Sequence, residues 1–295
     1  MTENVKVSDL FSIETNIGLI AKDAGSANLI AHAFGHCHNT LAYCEEPGRT
    51  IFKGLGFTFV SSFEEVFNFA DVLVIGTGSS AFEKLHLHLA HQAAKKTFSV
   101  LDHWINYEAR FDVGGTSIEP NNLLVFDQDA EDMARLKFPN TPVLRLVNEY
   151  QESIRSAVQS VSKETLNVTF LYMHEKIVEN VQNFKGQEYW TVCFDRFYSQ
   201  VSRLHDDFQI KLRIHPKDNP KDFIKFVSAR PGVALSYSNL AVDIAQSDII
   251  VGVRSAALEI ARNCGKPVFT TNFSPDLRLP GPLARLPTFE DTYVP

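Results

Sequence analysis

Little in this chain points to a disulfide scaffold, a membrane or a strongly charged partner. Four of 295 residues are cysteine, Cys37, Cys44, Cys193 and Cys264, and no two stand in a Cys-x-x-Cys spacing. That suits a reduced compartment better than a disulfide framework. The longest apolar stretches, Asp71-Val-Leu-Val-Ile-Gly76 and Asp248-Ile-Ile-Val-Gly252, are strand-sized, far short of the roughly 20 residues of a membrane helix. Met-Thr-Glu-Asn-Val-Lys at the start has no basic stretch leading into an apolar core, so no secretory leader is expected and the cytoplasm is the expected location. An excess of positive charge is missing too: 28 Lys and Arg stand against 35 Asp and Glu, for a net −7. This argues against nucleic acid or an anionic membrane as partner and favours a small molecule. No Gly-x-Ser-x-Gly elbow or Walker lysine motif is present, and the turn after the first strand lacks Gly-x-Gly-x-x-Gly.

What is present is apolar material for two cores, 44% hydrophobic residues against 21% charged, in a length that suits two domains. Ile17-Gly-Leu-Ile-Ala21 reads as a strand that runs through Lys22-Asp-Ala-Gly-Ser-Ala-Asn28 into a helix. Further strands are expected at Leu41–Tyr43, Phe57–Val60, Asp71–Ile75, Thr97–Leu101, Asn122–Phe126 and Val143–Leu146. The polar stretch from Asn148 to Lys163 marks the junction. A second series then alternates strands at Asn167–Tyr172, Gln209–Ile214, Gly232–Ser236, Asp248–Gly252 and Pro267–Thr270 with helices. Such alternation predicts an α/β protein of two Rossmann-like, doubly wound domains, 1–150 and 151–295, facing a cleft. From Asn272 the chain has five prolines and little periodicity, so it is expected to run over the surface or back across the first domain.

Ligands of such sheets sit beyond the carboxyl ends of the strands, so the informative residues should follow strands. Lys211-Leu-Arg-Ile-His215-Pro216-Lys217 ends a strand in a histidine held extended by proline, with a lysine beside it. That imidazole can donate to a phosphate or protonate a leaving group, or simply close a loop. Asp248-Ile-Ile-Val-Gly-Val-Arg254-Ser255 feeds a strand into a helix whose first turn offers N–H groups and a hydroxyl to an anion. Glu259, four residues on, shares the helical face with Ser255; an N-cap and a solvated carboxylate are the plain alternative. In the first half, Asp23 and Ser26 follow the first strand, and Thr77 and Ser79 follow a strongly apolar one. Asp102, His103, Trp104 and Asn106 follow a third, a mixture costly to bury unless paired. Asp102 is the expected general base for an acceptor hydroxyl, with Asp23 as the alternative and Asp127 a weaker one. Asp102 and His103 as paired structural residues under a loop remain the rival assignment. His36, Cys37, His38 and Cys44, like His86, His88 and His91, lack the ligand spacing of a metal site, so no metal is expected.

The strand-ending His-Pro, the later strand and serine- and glutamate-bearing helix, and the following Gly265-Lys-Pro-Val268 resemble the C-terminal half of GT-B glycosyltransferases. The His-Pro with its downstream serine is most similar to bacterial sialyltransferases, capsule Kdo transferases and CDP-glycerol glycerophosphotransferases. The likeness covers roughly Lys211 to Phe269, in short motifs. It implies that His215 and Ser255 contact the phosphate of a cytidine-linked donor and that Glu259 holds the ribose. Where sialyltransferases often show two adjacent serines, Arg254 precedes Ser255 and Ala256 follows it, which makes Arg254 a candidate for a bidentate pyrophosphate contact; Lys217 adds a second cation.

The resemblance implies a metal-independent glycosyltransferase with no cofactor. A CMP- or CDP-linked sugar would be substrate, Ser26, Thr77, Ser79, His103, Trp104 and Asn106 would meet the acceptor, and a bacterial surface polysaccharide would be the product. At 295 residues the chain is short for that fold, so a partner or a second copy in a homo-oligomer is expected to complete the acceptor side. Two rivals share the same residues: a sugar-nucleotide hydrolase or epimerase, and a non-catalytic binding subunit.

Overall fold

The computed structural model describes residues 4–78, 80–163, 167–175, 177, 180–181, 184–216 and 218–294. The chain divides into two compact units, Met1–Tyr150 and Gln151–Pro295. In the first unit the strands are β1 (Ile17–Ala21), β2 (Thr40–Cys44), β3 (Val72–Gly76), β4 (Lys96–Val100), a two-by-two antiparallel hairpin of β5 (Asp112–Val113) and β6 (Thr116–Ser117), then β7 (Asn122–Val125) and β8 (Val143–Arg145). The main sheet is parallel throughout, in the order β2-β1-β3-β4-β7-β8. All five residues of β1 and of β3 are buried. A sheet covered on both faces demands such unbroken apolar runs, because helices pack on each side.

The second unit has β9 (Val168–Met173), β10 (Phe208–Arg213), β11 (Val233–Leu235), β12 (Ile249–Gly252) and β13 (Val268–Thr270), all parallel, in the order β11-β10-β9-β12-β13. The helix Gly186–Leu204 lays Trp190, Phe194, Phe197 and Val201 into a core with Phe170, Tyr172, Ile210 and Leu212. Each unit is a Rossmann-like domain.

Two expectations change. Phe57–Val60 is no strand: Phe59 makes a single parallel bridge to Ala42, with Ala42 N donating to Thr58 O and Val60 N to Ala42 O. The segment follows the edge strand β2 for one pair and then leaves it. The tail from Asn272 is no surface run either, since Leu277, Leu283 and Phe289 are buried and Phe289 sits among Phe170, Phe197 and Phe269 of its own unit. A short helix at Phe289–Thr292 and a bridge from Thr288 to Thr270 hold it there. Spaced aromatics, not periodicity, anchor it.

Strand order places the sites. In the first sheet the chain moves from β1 to β2 on one side and then resumes with β3 on the other, so the switch lies between β1 and β3. In the second, β10 and β11 lie on one side of β9 and β12 on the other, and the switch lies between β9 and β12. Helix termini diverge at such points and open a crevice beyond the strand ends.

Candidate functional site

At the switch of the first unit, Asp23 and Ser26 follow β1, Thr77 follows β3, and Asp102 follows β4. Arg110, from the helix Tyr107–Phe111, joins two of these loops. Its Nη1 donates to Asp102 Oδ1 at 2.6 Å, to Thr77 Oγ1 at 3.0 Å and to Thr77 O, while Nε donates to Ile105 O at 3.2 Å. Thr77 in turn donates to Val100 O at 2.5 Å. Asp102 and Arg110 are each 12% exposed, so this ion pair is largely shielded from water, and the guanidinium plane is fixed by several acceptors at once.

A second carboxylate ties the same region. Glu83, 2% exposed on the helix Ala81–Gln92, accepts at Oε1 from Lys22 N (2.9 Å) and Asp23 N (3.0 Å). Its Oε2 accepts from Ser80 Oγ at 2.5 Å. The loop after β1 is thereby bolted to the helix after β3. Two glycines make room: a Cβ on Gly25 would collide with the Asp102 carboxylate, and one on Gly78 would lie 2.7 Å from Asp23 Cβ.

The remaining first-unit candidates take other positions. Trp104 is buried, and its indole Nε1 donates to both oxygens of Asp127, at 3.1 and 2.9 Å. Asp127 also caps the helix Gln128–Lys137 by accepting from Ala130 N at 2.7 Å. Trp104 is therefore a packed side chain rather than an open sugar platform, and Asp127 is a cap rather than a base. His103 accepts the Trp104 backbone N–H on Nδ1 at 2.9 Å. Ser26 is buried with its hydroxyl on Asp23 O at 3.3 Å. Asn106 is exposed in the left-handed region, at φ 59°. Ser79 lies outside the described residues.

In the second unit the ends of β9, β10 and β12 converge. His174 and Glu175 follow β9, His215 follows β10, and Arg254 and Ser255 follow β12. Asp218 is the hub: its Oδ2 accepts from His215 N at 3.1 Å and lies 2.9 Å from His174 Nδ1. His174 is 6% exposed and meets Trp190 and Phe223 edge-on. Arg254, 5% exposed, points Nε at Glu175 Oε1 across 3.5 Å. Ser255 caps the helix Ala256–Asn263 with a long bond, Ala257 N to Oγ at 3.4 Å. Glu259 Oε1 is taken by Arg262 (2.7 Å) and Asn263 (3.1 Å), and Oε2 is buried without a hydrogen-bond partner. Lys217 lies outside the described residues.

No protein-family model and no curated protein matches the chain. Among solved structures it is similar to a putative UDP-N-acetylglucosamine 2-epimerase from Listeria monocytogenes and to S. aureus MnaA in a co-structure with UDP. For each, the TM-score is 0.60 at 10% identity, over 89% of this chain and 80% of that one. It is also similar to the glycotransferase of kitacinnamycin, with a TM-score of 0.51 at 13% identity, over 87% of this chain and 80% of that one.

The fold is GT-B-like. In this GT-B-like chain the switch of each Rossmann-like domain carries a hub carboxylate that sequence reading passed over. Glu83 left a signal, since Ser80-Ala-Phe-Glu83 has the spacing of a capping box. Its second role, on loops sixty residues away, leaves none. His174-Glu175 was legible as the pair following a strand end, and Asp218 as an acid three residues after His215. Among the described residues, no group of three or more His, Cys, Asp or Glu is placed to hold a metal ion, and no helix is long and apolar enough to cross a membrane.

Burial pushes His174 below the usual histidine range, while Asp218 opposes the shift. With the folded value below the unfolded one, about 6.5, the unfolded chain takes the proton first. The stability owed to neutral His174 is whole above about pH 6.5 and is lost as the pH falls through the lower folded value. Denaturant melts from about pH 7.5 down to about 5 are expected to show the native protein losing stability on acidification, and His174→Phe losing less.

Proposed function

We propose that the chain is a glycosyltransferase that takes its sugar from a nucleotide-activated donor. The observation that carries this reading is the meeting of His174, His215 and Arg254 at the ends of β9, β10 and β12, beside a helix start, at the switch of the second sheet. Two imidazoles, a guanidinium and the N–H groups opening Ala256–Asn263 suit the phosphates of a nucleotide. In the proposed reaction an acceptor oxygen attacks the anomeric carbon, and the bond from that carbon to the phosphate oxygen breaks with its electron pair. His215 and Arg254 meet the charge on the departing phosphate, and Ser255 and the Ala256–Asn263 helix start bind it. Glu259 is proposed to hold the ribose.

The acceptor proton passes to a carboxylate in this proposal. Asp102 spends Oδ1 on Arg110 and turns Oδ2 to Gly25, so Asp23 takes that part in this proposal and Asp102 positions Arg110 and Thr77. Neither a metal nor an organic cofactor enters the scheme, and the proposed setting is cytoplasmic synthesis of a surface polysaccharide. The base of the donor nucleotide is proposed as cytosine on the His-Pro and serine pattern, with uracil supported by the likeness to the UDP co-structure.

A second reading is supported by the epimerase likeness at TM-score 0.60: the same site breaks the same bond with no acceptor, as a sugar-nucleotide epimerase or hydrolase. Incubating the protein with UDP-, CMP-, CDP- and GDP-linked sugars, with and without saccharide acceptors, separates the two. Transfer to an acceptor with release of nucleotide supports the transferase. Free or inverted sugar from donor alone supports the second reading. Intact donor under every condition sinks both.

A further inference from the structure

Beside the Asp102–Arg110 pair lies a small cavity of about 200 Å³ that no residue of the proposed donor site enters, lined by Gly78, Lys84, Asn106, Ala109 and Arg110. We propose that it holds a carboxylate or phosphate carried by the acceptor, so that the acceptor is an acidic saccharide; this rests on the transferase reading and narrows it.

Among the described residues the lining has two cations, one amide and no carboxylate. The neighbouring acids are engaged elsewhere: Asp102 on Arg110, Glu83 on two backbone N–H groups and Ser80, and Glu108 on Lys137 at 2.6 Å. Arg110 cannot swing away, because Nε and Nη1 are held by Ile105, Thr77 and Asp102. Its Nη2 bonds to none of these groups. Lys84 gives one N–H to Ala109 O at 2.6 Å, and an ammonium has three, which leaves two for a ligand. Asn106 holds the left-handed backbone with no capping bond from its side chain, so its amide is available at the rim.

Volume decides what enters. Whole-ligand pockets run from about 300 Å³ upward, so this cavity takes one substituent and not a nucleotide. The Nη2 edge of a fixed guanidinium, an ammonium and an amide NH2 offer several donors against one amide acceptor, and an anion with two or three acceptor oxygens matches them better than a hydroxyl, which must also donate.

The test uses the full chain with glucuronate, glucose 6-phosphate and neutral glucose as probes, titrated against the native protein, Lys84→Ala and Lys84→Glu. At least one of the two acids is expected to bind about 10-fold or more tightly than glucose, and the tighter one names the acidic group. Lys84→Ala is expected to cut that preference about 5- to 10-fold and Lys84→Glu to erase it. Arg110→Lys, which keeps the charge and loses the Nη2 edge, is expected to weaken acid binding while circular dichroism stays native. Glucose binding as well as both acids, or a preference untouched in both Lys84 variants, would overturn the inference. Nucleotide stabilisation of the native protein is measured beside it. Acid preference without any nucleotide effect would sink the transferase reading and leave this site standing, and nucleotide effects without acid preference would remove this inference alone.

Discussion

Asp243→Ala is expected to lower the stability of the second unit by about 3–5 kcal/mol, the usual cost of breaking a buried ion pair from one side. Asp243 is fully buried at the start of the helix Leu240–Ala245. Its Oδ2 takes Arg213 Nη1 at 2.7 Å, and both oxygens lie 2.6 Å from Ser236 Oγ. One carboxylate thus ties the end of β10, the loop after β11 and the next helix. Alanine leaves Arg213 with the Ser238 carbonyl alone and Ser236 without an acceptor. Arg213→Ala is expected to cost as much, because it strands the carboxylate. Urea denaturation of the unit's transition gives the number, and a loss under about 1 kcal/mol would show that the network is not what holds these elements together.

Asp218→Ala is expected to leave the fold in place and weaken nucleotide binding about 10- to 100-fold. Asp218 is 17% exposed in its side chain, accepts from His215 N and lies 2.9 Å from His174 Nδ1. Removing it costs two charge-assisted contacts, each worth about 1.5–3 kcal/mol, in a loop whose only task in this account is to aim His215. Asp218→Asn keeps an acceptor for His215 N and loses the charge facing His174, so it is expected to fall between. Calorimetric titration with UDP and CMP checks both, with circular dichroism as the control for folding. Native affinity in the alanine variant would mean that His215 is aimed by other groups or does not bind.

How far the sequence alone reached can be followed residue by residue. β1 and β3 were readable because a doubly covered parallel strand must be apolar at every position, and Ile17–Ala21 and Val72–Ile75 are apolar but for Gly18. Phe57–Val60 has the same look, yet it lies beyond an edge strand, and composition does not say where a sheet stops. Trp104 shows the limit in the other direction. A tryptophan after a strand end suits a sugar surface as well as a core, and only the distant Asp127 settles which. Asp127, Glu83 and Asp243 act on loops 23, 60 and 30 residues away, separations to which local pattern is blind. By contrast, the pairing of Glu259 with Arg262 and Asn263 is ordinary i,i+3 and i,i+4 helix chemistry and was available to inspection.

A nucleotide site is proposed at the ends of β9, β10 and β12. It is tested most directly by thermal shift of the purified protein with CMP, CDP, UDP, GDP and ADP, repeated on His215→Ala and Arg254→Lys, since a ligand that binds only the native state raises its apparent stability. Selective stabilisation by one pyrimidine nucleotide, falling away in both variants, is expected. No shift with any nucleotide, or a shift of equal size in the native protein and both variants, would contradict it.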